Sequence, residues 1–145
     1  MFSYQAITEF VEDEGAYEIS FCDFPELEGV SYCKEDVELE AQEMLLANFA
    51  DYITARKTIP LPTVQRDGAF TIYLPITCCL KIALSNAILA SGITHFDLAR
   101  RLNINAQQIE RLVDIHYASK IDLLEQALYL LGYEATVKIS KKPLI

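Results

Sequence analysis

Residues 94–112 read THFDLARRLNINAQQIERL, and their local structure is the most strongly determined in the chain. Thr94 and Asn105 are helix-capping residue types, and each stands directly before a run of apolar side chains with helical spacing. The interval between the two runs, 103–105, is long enough only for a tight turn. The stretch therefore predicts two short helices, 95–102 and 106 to about 115. Their shared core is predicted to be Leu98, Leu102, Ile104, Ile109 and Leu112.

The outer face of the second helix carries side chains that can read DNA. At about 100° per residue, Gln107 and Arg111 fall opposite Ile109, and Gln108 falls on the flank. Glutamine can pair with the edge of adenine and arginine with that of guanine. With the small Ala99 at the crossing, the pattern predicts a helix-turn-helix with additional phosphate contacts. The residues predicted to contact DNA are Thr94, Arg100, Arg101, Asn105, Gln107, Gln108, Arg111 and Lys120.

The surrounding segments extend this part into an all-helical module. Helical spacing from Leu80 ends at Gly92, and another helix is predicted between a Ser119 cap and Gly132. Residues 134–139 alternate as a possible strand. An isolated strand needs a partner, which a second subunit can supply.

The first half of the chain has strand periodicity instead. Strands are predicted over 2–11, 16–21, 30–33 and 70–74, with a loop at 23–29 marked by proline and glycine. Helical spacing from Asp36 to about Arg56 predicts one long amphipathic helix. The predicted fold class is α+β, with a β-β-β-α-β module in 1–76 followed by an all-α module in 77–145.

Charge divides the chain in the same way. Residues 1–60 contain 14 Asp and Glu against 3 Lys and Arg, whereas residues 61–145 contain 7 against 9. An acidic surface is complementary to a basic protein partner and speeds their encounter. Because the second half is only weakly basic, one copy would hold DNA poorly. A homodimer or higher oligomer reading a palindromic operator is therefore expected.

Catalytic and metal sites are not indicated by the residue pattern. Cys22, Cys33, Cys78 and Cys79 form no Cys-x-x-Cys pair, and buried reduced thiols are the simpler interpretation. Most acidic residues are predicted to lie in a turn or on a solvated helix face. No cofactor is expected. No apolar run approaches the roughly 18 residues of a membrane span, so a cytoplasmic chain without membrane contact is expected.

Several segments carry a family resemblance. Residues 15–27, GAYEISFCDFPEL, resemble the strand and loop motif G-Y-x-V-S-F-P-D-x-P of HicB antitoxins. The acidic start and the L-x-x-F-x-x-Y end of 36–52, and the IPLP of 59–62, resemble the same family. So do 93–102, 108–112 and 116–122 in the helical half. The resemblance covers nearly the whole chain.

This resemblance implies a type II antitoxin. The N-terminal module would be a partial RNase H-like fold without that nuclease's catalytic set, and it would mask a small basic HicA ribonuclease. The C-terminal module would repress the operon. The residues implied in toxin binding are Tyr17, Asp23, Phe24, Pro25, Glu26 and Glu28.

Two other classes of protein remain open from sequence. A one-component helix-turn-helix regulator with an N-terminal ligand-sensing module would show effector-dependent operator affinity and lack a small basic protein gene beside its own. A metal-dependent nuclease would cleave RNA when supplied with Mg or Mn.

Overall fold

The amino-terminal part of the chain forms a four-stranded antiparallel sheet. A computed structural model describes residues 2–63 and 65–142. The spatial order of the strands is β3-β2-β1-β4, so β3 and β4 lie at the edges. The strands are β1 (Gln5–Val11), β2 (Ala16–Phe21), β3 (Phe24–Ser31) and β4 (Phe70–Thr71).

One long helix covers one face of this sheet. After a 3-10 turn (Lys34–Asp36), helix α1 runs over Val37–Thr54 and buries a side chain at every fourth position. These four side chains are Val37, Ala41, Leu45 and Phe49. The ring of Phe49 lies 5.0 Å from that of Tyr4 and 5.7 Å from that of Phe24. This aromatic group joins helix to sheet. Asp36 directly precedes α1, but its side chain makes no capping hydrogen bond.

Strand β3 differs from the sequence prediction. The predicted loop 23–29 is wrong, because the chain turns within Cys22 and Asp23 and pairs again from Phe24 onward. Pro25 lacks an N–H, but an edge strand needs only one side of its backbone paired. Gly29 lets the side chain of Met44 on α1 pack closely against the strand, since a Cβ there would overlap the Met44 sulfur unless that side chain moved. Both residues that suggested a loop are thus compatible with an edge strand.

The second half of the chain is helical. Helix α2 begins four residues before the predicted start, because Pro75 can precede a helix without needing a backbone N–H. Gly92 ends α2 with φ 75°, as predicted. The α+β class is confirmed, and the helices are α2 (Ile76–Ser91), α3 (His95–Leu102), α4 (Ala106–Val113) and α5 (Ile121–Leu130).

Helix α2 contributes to two separate clusters of buried residues. Cys78 and Ile82, near its start, pack with the sheet and α1. Leu84 and Ile88, further along, pack with α3, α4 and α5. Ile115, between α4 and α5, also belongs to the first cluster. The domain boundary after residue 76 stays a prediction, and in the structure α2 joins the two clusters.

At the carboxyl end of the chain one prediction fails and another stays untested. Ser119 does not cap α5, because the cap position belongs to Lys120 and has no side-chain hydrogen bond. Residues 134–139 pair with no strand among the described residues of this chain, and the expected pairing with a second subunit stays a prediction. Among the described residues, no single helix has the length and apolar character to cross a membrane. Helices α2 and α3 pass only as a bent pair, at 115°, on length and composition.

Candidate functional site

Helices α3 and α4 form a closely packed pair joined by a tight turn. Leu98 and Leu102 of α3 and Ile109 and Leu112 of α4 are all buried, as predicted. Asn103 ends α3 in the left-handed conformation, with φ 57°. Asparagine tolerates that conformation better than most residues do. The turn is therefore fixed by its own residue types as well as by the core beneath it.

Both helices begin with side-chain caps. The hydroxyl of Thr94 accepts a hydrogen bond from the backbone N–H of Asp97 at 3.0 Å. Asn105 Oδ1 accepts from the backbone N–H of Gln108 at 2.8 Å, and Gln108 Oε1 accepts from the N–H of Asn105 at 2.8 Å. This reciprocal pair is a capping box. Three residues predicted to contact DNA therefore also fix the helix starts.

The predicted reading face of α4 is exposed. Arg111 lies over the ring of Tyr117, with 5.3 Å between the guanidinium carbon and the ring centroid. Arg100 makes a loose ion pair with Asp97 at 3.5 Å. The exposed residues in the predicted DNA-contact set are Thr94, Arg100, Arg101, Asn105, Gln107, Gln108, Arg111 and Lys120. All eight side chains are therefore accessible to a large ligand.

A side-chain contact between a histidine and a glutamate links the two helices at the edge of this face. Nδ1 of His95, at the start of α3, lies 3.0 Å from the carboxylate of Glu110 on α4. Because the imidazole binds Glu110, the acidic group nearest Arg111 in sequence is directed toward α3.

Lys81 of α2 is fully buried, and the sequence analysis did not single it out. Its ammonium donates hydrogen bonds to the carbonyl of Arg111 at 2.9 Å, to that of Asp114 at 2.7 Å and to the hydroxyl of Ser119 at 2.8 Å. Burial lowers the pKa of Lys81 to about 8, and the nearby carboxylate of Asp114 offsets only part of this effect. A lysine on the mostly apolar inner face of α2 was the available signal.

The open face of the sheet is acidic. It is the face opposite α1, and Glu9 of β1 stands directly across from Glu18 of β2. Glu28 and the exposed Val30 of β3 lie in the same shallow groove. None of these carboxylates takes part in a salt bridge with another described residue. The groove thus combines unpaired negative charge with apolar surface.

The residues implied in toxin binding are divided between different surfaces. Glu28 lies in the open-face groove, whereas Pro25 and Glu26 line another groove beside α1. Asp23 accepts hydrogen bonds from the N–H and hydroxyl of Thr63, at 2.9 and 3.1 Å. Tyr17 is half-buried, and its ring lies 4.9 Å from that of Phe10.

Phe24 is removed from the surface available to a partner. Its side chain is 6% exposed because the ring packs into the aromatic group under α1. The sequence placed it in a loop, where it would have been accessible. Of the implied toxin-binding residues, Pro25, Glu26 and Glu28 are exposed.

Within 2–63 and 65–142, no three His, Cys, Asp or Glu side chains are grouped so that they could hold a metal ion. The four cysteines form no disulfide. Burial raises the pKa of the Cys78 and Cys79 thiols, which favours their protonated form.

Comparison with known proteins gives consistent matches over most of the chain. A family profile described as "HicB_like antitoxin of bacterial toxin-antitoxin system" matches residues 3–83. "Antitoxin HicB" of Escherichia coli (strain K12) is 36% identical over 124 residues, which are 86% of this chain and 90% of that protein. "Antitoxin HicB" of Pseudomonas fluorescens (strain Pf0-1) is 31% identical over 133 residues, 91% of this chain and 90% of that protein. "Antitoxin HicB 1" of Photorhabdus laumondii is 30% identical, with 88% and 81% covered.

Proposed function

The chain belongs to the HicB-like family of antitoxins from bacterial toxin-antitoxin systems, and from that membership we propose that it neutralises a HicA-like ribonuclease toxin and represses its own operon. The N-terminal module binds the toxin, and helices α3 and α4 act as a DNA-binding helix-turn-helix. The three-stranded meander, α1 and the pairing of β4 with β1 support the proposal that this module is a partial RNase H-like fold.

The acidic open face of the sheet carries the proposal for toxin binding. A ribonuclease that binds RNA presents positive charge, and Glu9, Glu18 and Glu28 offer it carboxylates that have no salt bridge among the described residues. Val30 provides apolar area beside them. Opposite charges speed encounter, and the apolar contact slows dissociation. Occupying the toxin's basic surface also excludes its RNA substrate.

Charge reversal tests this surface. The double variant Glu18→Lys, Glu28→Lys should fail to rescue growth when it is co-expressed with the toxin encoded beside it. The matched control, Glu38→Lys with Glu43→Lys, makes the same net change on the outer side of α1, where both residues are exposed. Equal rescue by both double variants would overturn the assignment to the open face. Equal failure of both double variants to rescue growth would indicate that toxin binding depends on the net charge of the chain and not on the open face.

The exposed face of α4 carries the proposal for DNA binding. The buried side of α4 is occupied by Ile109, Leu112 and Val113, so Gln107 and Arg111 face outward from a rigid support. A helix of this kind fits the major groove, where amide and guanidinium groups distinguish base pairs. Gln107→Ala or Arg111→Ala should each weaken operator binding about 5- to 150-fold.

The assay is fluorescence anisotropy with a labelled duplex from upstream of the gene. Gln126→Ala on α5 is the control, because Gln126 is an equally exposed glutamine outside the α3–α4 pair. Toxin binding should survive all three substitutions. Full operator affinity in both the Gln107 and Arg111 variants would contradict the proposed reading face. An effector that shifts operator affinity, in the absence of any toxin interaction, would favour a ligand-sensing regulator instead.

We propose that the DNA-binding form is a homodimer or higher oligomer. The segment after α5 exposes Val137 at 60% and Ile139 at 92%, and Tyr129 of α5 is 74% exposed. Apolar side chains left this open along an alternating segment support pairing with a second copy. Light scattering should give at least twice the mass of the 16.4 kDa chain. The variant Ile139→Asp should dissociate toward monomer, and a monomeric parent protein would contradict the proposal.

A further inference from the structure

We propose that Lys81 is a positioning residue for DNA recognition, which holds the carboxyl end of α4 and the loop after it in the one arrangement that presents Gln107 and Arg111 to the operator. This inference rests on the proposed DNA binding by α4. Lys81 itself lies on α2 and is fully buried, so it makes no contact with DNA.

The geometry of the ammonium group carries the first step. The last carbonyls of any helix lack partners within the helix, and a cation there also interacts favourably with the helix dipole. Lys81 Nζ donates to the carbonyls of Arg111 and Asp114 at 2.9 and 2.7 Å. One side chain from α2 thus satisfies two backbone groups at the end of α4.

The third hydrogen bond extends this arrangement into the loop that leads to α5. Lys81 Nζ donates to the hydroxyl of Ser119 at 2.8 Å, and that hydroxyl lies 3.4 Å from the carbonyl of Arg111. All three hydrogen-bonding positions of an ammonium group are therefore used. Tyr117 covers the site, since its ring lies 5.8 Å from Lys81 Nζ and 5.3 Å from the guanidinium carbon of Arg111.

The same loop is anchored on its other side by apolar packing. Ile115 is 3% exposed and lies in the cluster formed by the sheet, α1 and the start of α2. The thiol of Cys78, one turn before Lys81, lies 3.7 Å from the carbonyl of Ile115. Apolar contacts alone would allow the end of α4 to shift, whereas the three directional bonds of Lys81 fix its orientation.

The three hydrogen bonds of Lys81 offset the cost of burying its charge. Burying an ammonium group is costly unless each of its protons is bonded. Replacing Lys81 by an apolar side chain removes that cost but also removes the shortest hydrogen bond to each of the carbonyls of Arg111 and Asp114. These carbonyls then keep only longer bonds, from the N–H groups of Asp114 and Tyr117 at 3.3 and 3.1 Å and, for Arg111, from the Ser119 hydroxyl at 3.4 Å. The expected consequence is a displaced or frayed last turn of α4 in a chain that still folds. The variant should then lose sequence-specific DNA binding while it keeps its fold.

The test uses the full chain and three variants in anisotropy titrations. Lys81→Met keeps the length of the side chain and removes its donors, and Ser119→Ala removes one acceptor. Lys138→Met is the control, because it removes one positive charge at an exposed position. Lys81→Met should lose about tenfold or more in operator affinity, since hydrogen bonds from charged groups contribute about 1.5 to 3 kcal/mol. Its affinity for a scrambled duplex should change no more than that of Lys138→Met.

A pH profile separates positioning from a general loss of stability. A neutral amine has only two N–H groups for three acceptors, so the operator affinity of the parent protein should fall between pH 7 and 9. The operator affinity of Lys81→Met should change less than that of the parent over the same pH range. The titratable and charged groups facing the ammonium are Cys78 on α2, Arg111 and Asp114 at the end of α4, and Tyr117 in the loop. The Lys138→Met control should follow the parent profile.

Each outcome bears on a distinct claim. If the parent protein binds upstream DNA no better than scrambled DNA, the proposed DNA function fails and this inference fails with it. If the parent binds specifically and Lys81→Met binds equally well, with the same pH profile, only the role of Lys81 is overturned. If Lys81→Met does not fold, the operator affinity of Ser119→Ala provides the test of positioning instead. A loss of about threefold at the operator supports positioning, and unchanged affinity refutes it.

Discussion

Replacement of Asn105 by alanine tests how much the stability of α4 and its proposed binding to DNA depend on the capping box. Asn105 Oδ1 and Gln108 Oε1 each accept one backbone N–H at 2.8 Å. Alanine removes the first of these bonds and leaves the second possible. The loss of one asparagine cap costs about 1 kcal/mol, within a range of about 0.5 to 2 kcal/mol. In a chain of this length, 1 kcal/mol lowers Tm by about 2 to 4 °C.

Serine at the same position provides the matched comparison. Asn105→Ser keeps a cap oxygen, so its free energy of unfolding should stay within a few tenths of a kcal/mol of the parent value. Thermal unfolding followed by circular dichroism measures the stability of both variants, and anisotropy measures their operator affinity. If Asn105 acts only as a cap, the serine variant binds the operator normally. If it also contacts DNA, the serine variant loses affinity although its stability is kept.

One result would refute the reasoning about the cap. If Asn105→Ala unfolds at the same temperature as the parent and the serine variant, the hydrogen bond accepted by the Asn105 side chain contributes nothing to the stability of the chain. A Gln108→Ala variant provides a further check, because it removes the other half of the capping box while leaving the Asn105 cap intact. It should cost less than the asparagine substitution.

Three other perturbations follow from the structure. The pKa of Lys81, measured by NMR of its side chain, should be about 8. Because the pKa of this lysine in the unfolded chain is 10.5, the unfolded chain binds more protons than the folded chain between these two pH values, and Lys81 therefore makes the free energy of unfolding rise with pH there. Lys81→Met should remove that rise. Glu18→Gln relieves repulsion from Glu9 across the strands and should stabilise the chain by about 0.2 to 1 kcal/mol while weakening toxin binding, as measured by urea unfolding and calorimetry. Asn86→Leu leaves the N–H and carbonyl of Ile59, now bonded at 2.8 and 3.0 Å, without their partner, and should lower the free energy of unfolding by about 2 to 4 kcal/mol; unchanged urea unfolding would contradict this.

Features decided by neighbouring residues could be predicted from sequence. Helix α3 has the predicted bounds, and α4 begins where predicted because Thr94 and Asn105 satisfy the first backbone donors locally. The exposure of Gln107 and Arg111 followed from helical periodicity alone. These features depend on a few residues of one segment, so no tertiary information was needed.

Features decided by distant contacts could not be predicted. Strand β3 contains proline and glycine and reads as a loop, but its edge position and the packing of Met44 on Gly29 make a strand possible. The capping role of Lys81 depends on carbonyls 30 and 33 residues away in sequence. Phe24 was assigned to a binding loop because its packing against Phe49 depends on where α1 lies. Each of these outcomes follows from tertiary structure.

The burial of Ile115 against the sheet module limits the rotational freedom of α3 and α4, the helices proposed to read DNA. The two halves should tumble as one particle, and a fragment starting at residue 77 would expose Cys78, Ile82 and Ile115 to water and tend to aggregate. A toxin held on the open face of the sheet would stand at a set distance from the double helix. The size of the bound toxin would then determine whether two neighbouring complexes fit side by side on one operator, without any conformational change in the antitoxin.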